Sequence, residues 1–184
     1  ASFRFQTWRD WDTIIPGDEK ETDRSIDLRY QVLKEGKIAP ALTIGLQDFT
    51  GKGLFASEYV AATKTFGDKL KVTAGLGWGR LGSDGGIGSP FGSRPAVDPT
   101  GTPNSDQWFR GEAAPFAGVE YKINDNWTLK GEYSSDAYLV EDGERGLIER
   151  DSPFNFGVEY QRGQNVRLGV YSLGGSEVAL AFHV

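Results

Sequence analysis

Three carboxylates, Glu120, Glu132 and Glu159, recur at alternating positions of neighbouring predicted strands, which places them on one face of a sheet. Two carboxylates facing each other can act as the acid and the base of glycoside hydrolysis. Cations share this face at cross-strand or diagonal spacing, namely Lys122, Lys130 and Arg167. Interleaved opposite charges lower carboxylate pKa values, whereas a catalytic acid needs a raised one. The pattern therefore favours a ladder of ion pairs over catalysis.

His183 is the single histidine of the chain, so a Ser-His-Asp triad or an imidazole metal site would have to include it. It lies in the last predicted strand, on the face of the predicted sheet that carries the charged residues. An acyl hydrolase would need an activated serine, and no serine near His183 has the surroundings of a nucleophile elbow. We interpret His183 as a hydrogen-bonding side chain of the polar face.

The stretch from Gly77 to Gly82 matches the G-x-G-x-x-G pattern of dinucleotide sites. That chemistry requires a helix to begin there, since the helix N-terminus holds the pyrophosphate. The following residues, 83–90, are rich in glycine and end in proline, and they cannot begin a helix. The pattern indicates a glycine-lined strand that enters a loop.

A long loop near 82–114 ends in an aromatic and basic group. Trp108, Phe109 and Arg110 have the chemistry to stack on a sugar ring and clamp it. The same residues have the chemistry to anchor the loop to the sheet. Both interpretations stay open from the sequence, and Trp108 and Arg110 are the candidate loop contacts.

The elements that position these residues are strands, because apolar and polar residues alternate with a period of two. Between Ile26 and Val32 every apolar residue falls on one face and every polar residue on the other. Helical periodicity is absent, so the fold class is all-β. The ten predicted strands are 2–8, 25–33, 39–47, 54–66, 70–80, 115–123, 127–135, 154–162, 166–172 and 177–184.

The connections alternate between short and long. Tight turns are predicted at Gly36, 67–69, 124–126 and 163–165, and the other connections at 10–23, 47–53, 82–114, 136–153 and 174–175. Alternate connections of an antiparallel meander lie at opposite ends, so the extra length projects from one end. This asymmetry is typical of outer-membrane barrels.

The polar face carries both signs of charge and many glycines. Its predicted lumen-lining residues are Arg4, Asp27, Arg29, Glu58, Lys64, Lys71, Glu120, Lys122, Lys130, Glu132, Glu159 and Arg167. A soluble sandwich or barrel would bury the apolar face and bind a small ligand in an apolar interior. A membrane barrel would turn the apolar face to lipid, and aromatic residues near the strand ends favour this second architecture.

The composition of the chain argues against several kinds of function and structure. The 184 residues carry a net charge of -6 without a basic stripe, which argues against nucleic-acid binding. The chain has no cysteine, so disulfides and cysteine-based zinc sites are excluded. A run of about 18 apolar residues, as a transmembrane helix needs, does not occur. The mean hydropathy of -0.43 is compatible with membrane strands, which hide their apolar residues in alternation.

The segment from Ser25 to Gly82 resembles a known family. It contains IDLR at 26–29, LKEG at 33–36, PALTIGLQDF at 40–49, GKGLFASEYVAATK at 51–64, FGD at 66–68 and GLGWGRLG at 75–82. These motifs are similar to those of the YjbH-type exopolysaccharide-associated outer-membrane proteins, as is the opening ASFRF. The resemblance implies a bacterial outer-membrane barrel linked to making or exporting an extracellular polysaccharide.

We therefore expect residues 1–184 to form one antiparallel up-and-down barrel segment of about ten strands, within a larger barrel. The expected role is that of a passive pore or scaffold in polysaccharide export or assembly, without catalysis, cofactor or metal. Expected partners are outer-membrane lipid, polysaccharide and further barrel strands or other envelope proteins. A soluble ligand-binding barrel and a membrane enzyme acting on lipid or glycan are the alternatives. The first and last strands are expected to be edge strands that do not pair with each other.

Overall fold

The computed structural model describes residues 1–9, 20–50, 53, 55–96, 105–139, 141, 149–163 and 166–183. Within these residues the chain forms one ten-stranded antiparallel sheet in which every strand pairs with its neighbours in sequence. The strands are β1 (Ser2–Arg9), β2 (Lys20–Leu33), β3 (Ala41–Gln47), β4 (Ser57–Phe66), β5 (Leu70–Gly79), β6 (Ala114–Lys122), β7 (Trp127–Tyr133), β8 (Phe154–Arg162), β9 (Val166–Leu173) and β10 (Glu177–His183).

All ten predicted strands are confirmed, and the bounds of β8 agree at both ends. The main differences concern β2 and β4. β2 begins at Lys20, so the loop predicted over 10–23 gives way to strand earlier than expected, because β1 pairs with this part of β2. β4 begins at Ser57 rather than at 54. The predicted loop residues 10–19, the turn residues 164–165 and the terminal residue 184 lie outside the described residues.

The strand order separates two ends of the sheet. The turn end carries the connections 34–40, 67–69, 123–126 and 163–165. The loop end carries the connections 48–56, 80–113, 134–153 and 174–176. Local chemistry closes the tight turns: Gly67 has a φ of +60°, and the Asn124 side chain accepts hydrogen bonds from the backbone N–H groups of Asn126 and Trp127. The predicted asymmetry of the connections is confirmed.

The described sheet is open, since β1 and β10 form its two edges and are not paired with each other. β1 pairs only with residues 20–27 of β2, whereas β3 pairs with residues 28–33. β1 and the first half of β2 therefore form a hairpin that extends beyond the loop end. The predicted up-and-down topology is confirmed, but the described strands do not close a barrel by themselves.

The two faces of the sheet differ in exposure. The apolar face is exposed: Leu180 is 79% exposed, Phe156 61% and Val170 53%. On the polar face Asn155 and Glu159 are buried. Arg29 of β2 and Glu132 of β7 line the same cavity, so the sheet curls toward its polar face. The concave side is polar and the convex side is apolar, the reverse of a soluble β-barrel.

Helical structure in the described residues is confined to short turns, among them the 3₁₀ turns Arg80–Gly82 and Ser105–Gln107. No helix within these described parts is long and apolar enough to cross a membrane. Among the described residues the buried apolar side chains Trp78, Ala113 and Ala114 lie near the loop end, whereas Ala61 lies in the middle of β4.

Candidate functional site

The candidate site is the concave polar face together with the loops that fold over it. Charges on this face pair as the sequence pattern predicts: Lys71 Nζ lies 2.9 Å from Glu120 Oε1, and Lys130 Nζ lies 2.8 Å from Glu159 Oε1. The Tyr171 hydroxyl donates to Glu159 Oε1 at 2.5 Å. A carboxylate held by a cation and a hydroxyl is a structural group, because its charge is already satisfied.

Other predicted lumen residues lie on the same face without joining this ladder. Asp27 accepts hydrogen bonds from the Ser2 hydroxyl at 3.3 Å and the Asp48 backbone N–H at 3.0 Å. Arg167 lies opposite Gln161 and His183 in the register, which places His183 on the polar face as predicted. The remaining positions are Arg4 opposite Ser25, Lys122 opposite Thr128, and Arg29 and Glu132 in the wall of the shared cavity.

The predicted placement of Glu58 and Lys64 on the polar face is wrong. Glu58 pairs with Leu46 and Trp78, and paired residues of an antiparallel ladder project to the same face. Lys64 pairs with Val72 in the same way. Both charges therefore belong to the apolar face. The register between strands decides this, since a shift of one residue exchanges the faces.

Both charges lie at strand ends and both have partners. At the loop end the Arg94 guanidinium binds the two oxygens of Glu58 at 2.7 and 2.9 Å, and the Phe109 backbone N–H donates to Glu58 at 3.0 Å. At the turn end Lys64 Nζ donates to the backbone carbonyls of residues 36 and 37 at 2.5 and 3.1 Å. It also lies 3.3 Å from a Glu35 oxygen. The middle of the apolar face is left to uncharged residues.

Glycines of the polar face are covered by aromatic rings from the same or neighbouring strands. A Cβ added at Gly45 would overlap the ring of Tyr59, and one at Gly75 would overlap the ring of Phe116. Tyr171 covers Gly157 in the same manner. The absence of a Cβ lets each ring lie close to the sheet, which explains why glycine recurs among the polar residues.

Two loops meet over the loop end of the concave face. The Ser135 hydroxyl donates to the Leu81 carbonyl at 2.6 Å, and the Asp84 N–H donates to the Ser135 carbonyl at 3.0 Å. The Arg150 guanidinium lies 2.5 Å from Asp84 Oδ2. These bonds join the connection 80–113 to the connection 134–153. The described parts of the two loops are therefore joined to each other and form one structural unit at the loop end of the sheet.

Arg80 lies at the centre of this joined loop unit. Its guanidinium binds Asp136 and, at 2.7 Å, Glu141, and it lies 4.9 and 5.1 Å from the ring centres of Phe55 and Tyr138. Burial raises the pKa of Asp136, and the hydrogen bond from Arg80 offsets this only in part. Burial opposes the charge of Arg80, but the two carboxylates raise its pKa above the ordinary value. Arg80 therefore stays charged and holds two loop carboxylates.

The loop residues predicted to contact a ligand have distinct surroundings. Trp108 packs edge-on against Phe49 with 6.4 Å between the ring centres, which agrees with the anchoring interpretation. Phe109 packs edge-on against Trp78 at 5.3 Å. Arg110 is exposed. The connection 80–113 is thus attached on the apolar side of the sheet by Phe109 and Arg94, as well as on the concave side by Leu81.

The sequence-based reasoning missed Arg80, Arg94, Asp136 and Glu141. They lie in loops without periodicity, so neither face assignment nor spacing singles them out. A signal was available in the composition of the loops, where charged residues occur among glycines and prolines. In the described residues no group of three or more metal-ligating side chains comes together.

Comparison with known proteins agrees with the resemblance found in the motifs. The family described as exopolysaccharide biosynthesis protein YbjH matches residues 1–184. The protein of Escherichia coli strain K12 named uncharacterized lipoprotein YjbH is 33% identical over 156 residues, which cover 79% of this chain and 22% of that protein. The chain thus spans less than a quarter of the length of this relative. No solved structure matches it. The chain belongs to the YjbH family of exopolysaccharide biosynthesis proteins.

Proposed function

We propose that this chain is a segment of a bacterial outer-membrane β-barrel that serves the export or assembly of an exopolysaccharide without catalysing a reaction. The observation that carries the proposal is the inverted sheet, with an exposed apolar convex face and a charged concave face. Soluble proteins rarely expose contiguous apolar surface on this scale, so the face requires an apolar environment. Lipid on the outside and water within the curve satisfy both faces.

The distribution of charge on the convex face fits a bilayer. Glu58 and Lys64 lie at opposite ends of β4, and each is neutralised by partners from a loop or a turn. Long charged side chains near the ends of membrane spans reach toward the interface in this way. Between them the face presents Val60 and Ala62. A charge in the middle of the span would oppose the proposal, and β4 has none on this face.

The length of the strands fits the same environment. β8 contains nine residues, which at about 3.3 Å per residue span about 30 Å. A tilt of about 40° reduces this to a height of about 23 Å, near the apolar band of about 25 Å in outer-membrane barrels. β8 is therefore long enough for the proposed span.

Aromatic residues border the convex face at both ends. At the turn end Trp127 and Tyr160 pack with 4.9 Å between ring centres, and Tyr121 lies on the next strand. At the loop end Tyr133 and Phe154 pack at 5.6 Å. Aromatic rows at two levels are typical of membrane interfaces, where the rings lie among the lipid headgroups.

The link to polysaccharide comes from the family, whose description names exopolysaccharide biosynthesis. The relative from Escherichia coli is named a lipoprotein, which suits a place in the cell envelope. We propose outer-membrane lipid, the polysaccharide, and further barrel strands or other envelope proteins as partners. The role is passive: paired charges line a hydrated concave surface, and the joined loops control access to it.

Quenching by lipid tests the proposal. The chain has no cysteine, so a single introduced cysteine can carry a fluorescent label. We expect lipid-phase quenchers to reduce the fluorescence of labels at Leu129→Cys and Val158→Cys in reconstituted protein. The controls Thr128→Cys and Thr73→Cys lie on the concave face and should respond to aqueous quenchers instead. Equal aqueous quenching on both faces would rule out the membrane barrel.

A further inference from the structure

The concave face contains a cavity of about 340 Å³ next to the joined loops. Strands β2 to β7 form its wall, and Leu81 and Ser135 border it at the loop end. We propose that this cavity is a binding subsite for one uncharged hexose unit of a polysaccharide. The inference rests on the proposed function and adds the place and the chemistry of sugar binding.

The charged side chains of the cavity differ from the paired charges of the ladder. Arg29 and Glu132 both line it, and within the described residues neither side chain forms an ion pair or a side-chain hydrogen bond. The ladder pairs Lys71–Glu120 and Lys130–Glu159, by contrast, satisfy each other. A guanidinium offers several N–H donors and a carboxylate offers acceptors, and both form strong hydrogen bonds with hydroxyl groups. Sugar hydroxyls can donate to one and accept from the other.

The balance of charge selects an uncharged ligand. Among the described residues that line the cavity, one is a cation, Arg29, and one is an anion, Glu132, so their charges cancel. An acidic sugar would meet the repulsion of Glu132 as well as the attraction of Arg29. A neutral hexose meets no such repulsion and can form hydrogen bonds with both groups.

Aromatic and hydroxyl groups complete the wall. Tyr59 and Phe116 line the cavity and pack edge-on with 6.2 Å between their ring centres. The hydroxyls of Thr63 and Thr73 lie 2.9 Å apart on the same wall. A hexose has apolar C–H surfaces and polar edges, and a site that combines aromatic rings with a few polar groups matches both.

The aromatic wall is held in place before any ligand binds. Tyr59 lies against Gly45 and Phe116 against Gly75, where a Cβ would overlap each ring. Fixing contact groups in advance reduces the entropy lost on binding. The volume lies at the lower end of the range of about 300–1,000 Å³ found for ligand pockets, which suits a single sugar unit of a longer chain.

Calorimetry with defined oligosaccharides tests the subsite on the full-length protein reconstituted in detergent. The probes are maltohexaose and cellohexaose, which are uncharged, and hexagalacturonate, which is acidic. We expect an uncharged probe to bind, and Glu132→Gln and Arg29→Gln each to raise its Kd at least tenfold, because each removes a charged hydrogen-bonding group. The control Glu177→Gln removes a carboxylate of β10 outside the cavity and should leave the Kd within twofold.

Three results would overturn the subsite. They are no binding of either uncharged hexamer to folded protein, tighter binding of hexagalacturonate, and equal effects of Glu132→Gln and Glu177→Gln. Retained lipid quenching at Leu129→Cys beside any of these results would refute the subsite while leaving the membrane barrel intact. Failure of lipid quenching with intact hexamer binding would refute the barrel instead.

Discussion

The contact between Arg94 and Glu58 gives the sharpest test of how the long loop is attached. The Glu58 side chain is 4% exposed and Arg94 is 18% exposed. Arg94 provides two hydrogen bonds to the carboxylate, and its guanidinium also donates to the Gln107 carbonyl at 3.1 Å. The substitution Arg94→Met keeps much of the apolar stem and removes the charge. It leaves a buried carboxylate whose remaining hydrogen bond comes from the Phe109 N–H.

The expected cost follows from burial. Removing one partner of a buried ion pair destabilises a protein by about 3–5 kcal/mol, because the other charge is left without compensation. The matched control is Lys71→Met, since the side chains of Lys71 and Glu120 are 43% and 39% exposed. Exposed pairs of this kind contribute about 0–1 kcal/mol. Each substitution removes one positive charge, so the difference between their costs in unfolding free energy measures the effect of burial.

Urea unfolding of the reconstituted protein, followed by tryptophan fluorescence, measures both costs. Arg94→Met should lower the free energy of unfolding by several kcal/mol more than Lys71→Met. The double variant Arg94→Met with Glu58→Gln should recover part of the loss, because no charge is then buried alone. A cost for Arg94→Met no greater than that for Lys71→Met, or no recovery in the double variant, would refute the reasoning.

Two further predictions concern the loop carboxylates and the glycines. Burial raises the pKa of Asp136, so the folded state takes up a proton at a higher pH than the unfolded state. Relative to Asp136→Asn, the free energy of unfolding of the wild type should therefore rise as the pH falls from that raised pKa to about 3.9, the ordinary pKa of an aspartate in the unfolded chain. Urea midpoints that change in parallel for the two proteins would contradict this. A Cβ at Gly75 would lie 2.6 Å from the Val60 carbonyl oxygen, so Gly75→Ala should cost about 1–3 kcal/mol in urea unfolding. Gly118→Ala, where the nearest atom is 3.8 Å away, should be nearly neutral, and equal costs would show that space is not the cause.

Local pattern was sufficient to predict the strands. Side chains alternate across a strand whatever the rest of the fold does, so the alternation in β8 predicted Phe154–Arg162 at both ends. The tight turns were also predictable, because glycine, asparagine and aspartate adopt turn conformations through their own chemistry. The alternation of short and long connections then predicted the order of the strands, because successive strands of a meander pair with each other.

The register between strands could not be predicted from the alternation of side chains along each strand. Glu58 and Lys64 are in phase with Val60 and Ala62 along β4, yet their charge suggested the polar face. Pairing with Leu46, Trp78 and Val72 decides the face, and these partners are separated from β4 in sequence. The early start of β2 at Lys20 was missed for a related reason, because residues 20–24 show their strand character in the pairing with β1.

The sequence by itself determined that this chain is an antiparallel all-β meander with one apolar and one polar face, since side-chain period and turn chemistry are local properties. Only the tertiary structure decided which partners the loop charges meet. Arg94 and Glu58 are 36 residues apart, and Arg80 and Asp136 are 56 apart. No periodic signal links such pairs, because at least one partner of each lies in a loop, and loop residues obey no fixed period. The concave cavity between Arg29 and Glu132 also depends on the tertiary structure: it exists only because β2 and β7 face each other across the curve.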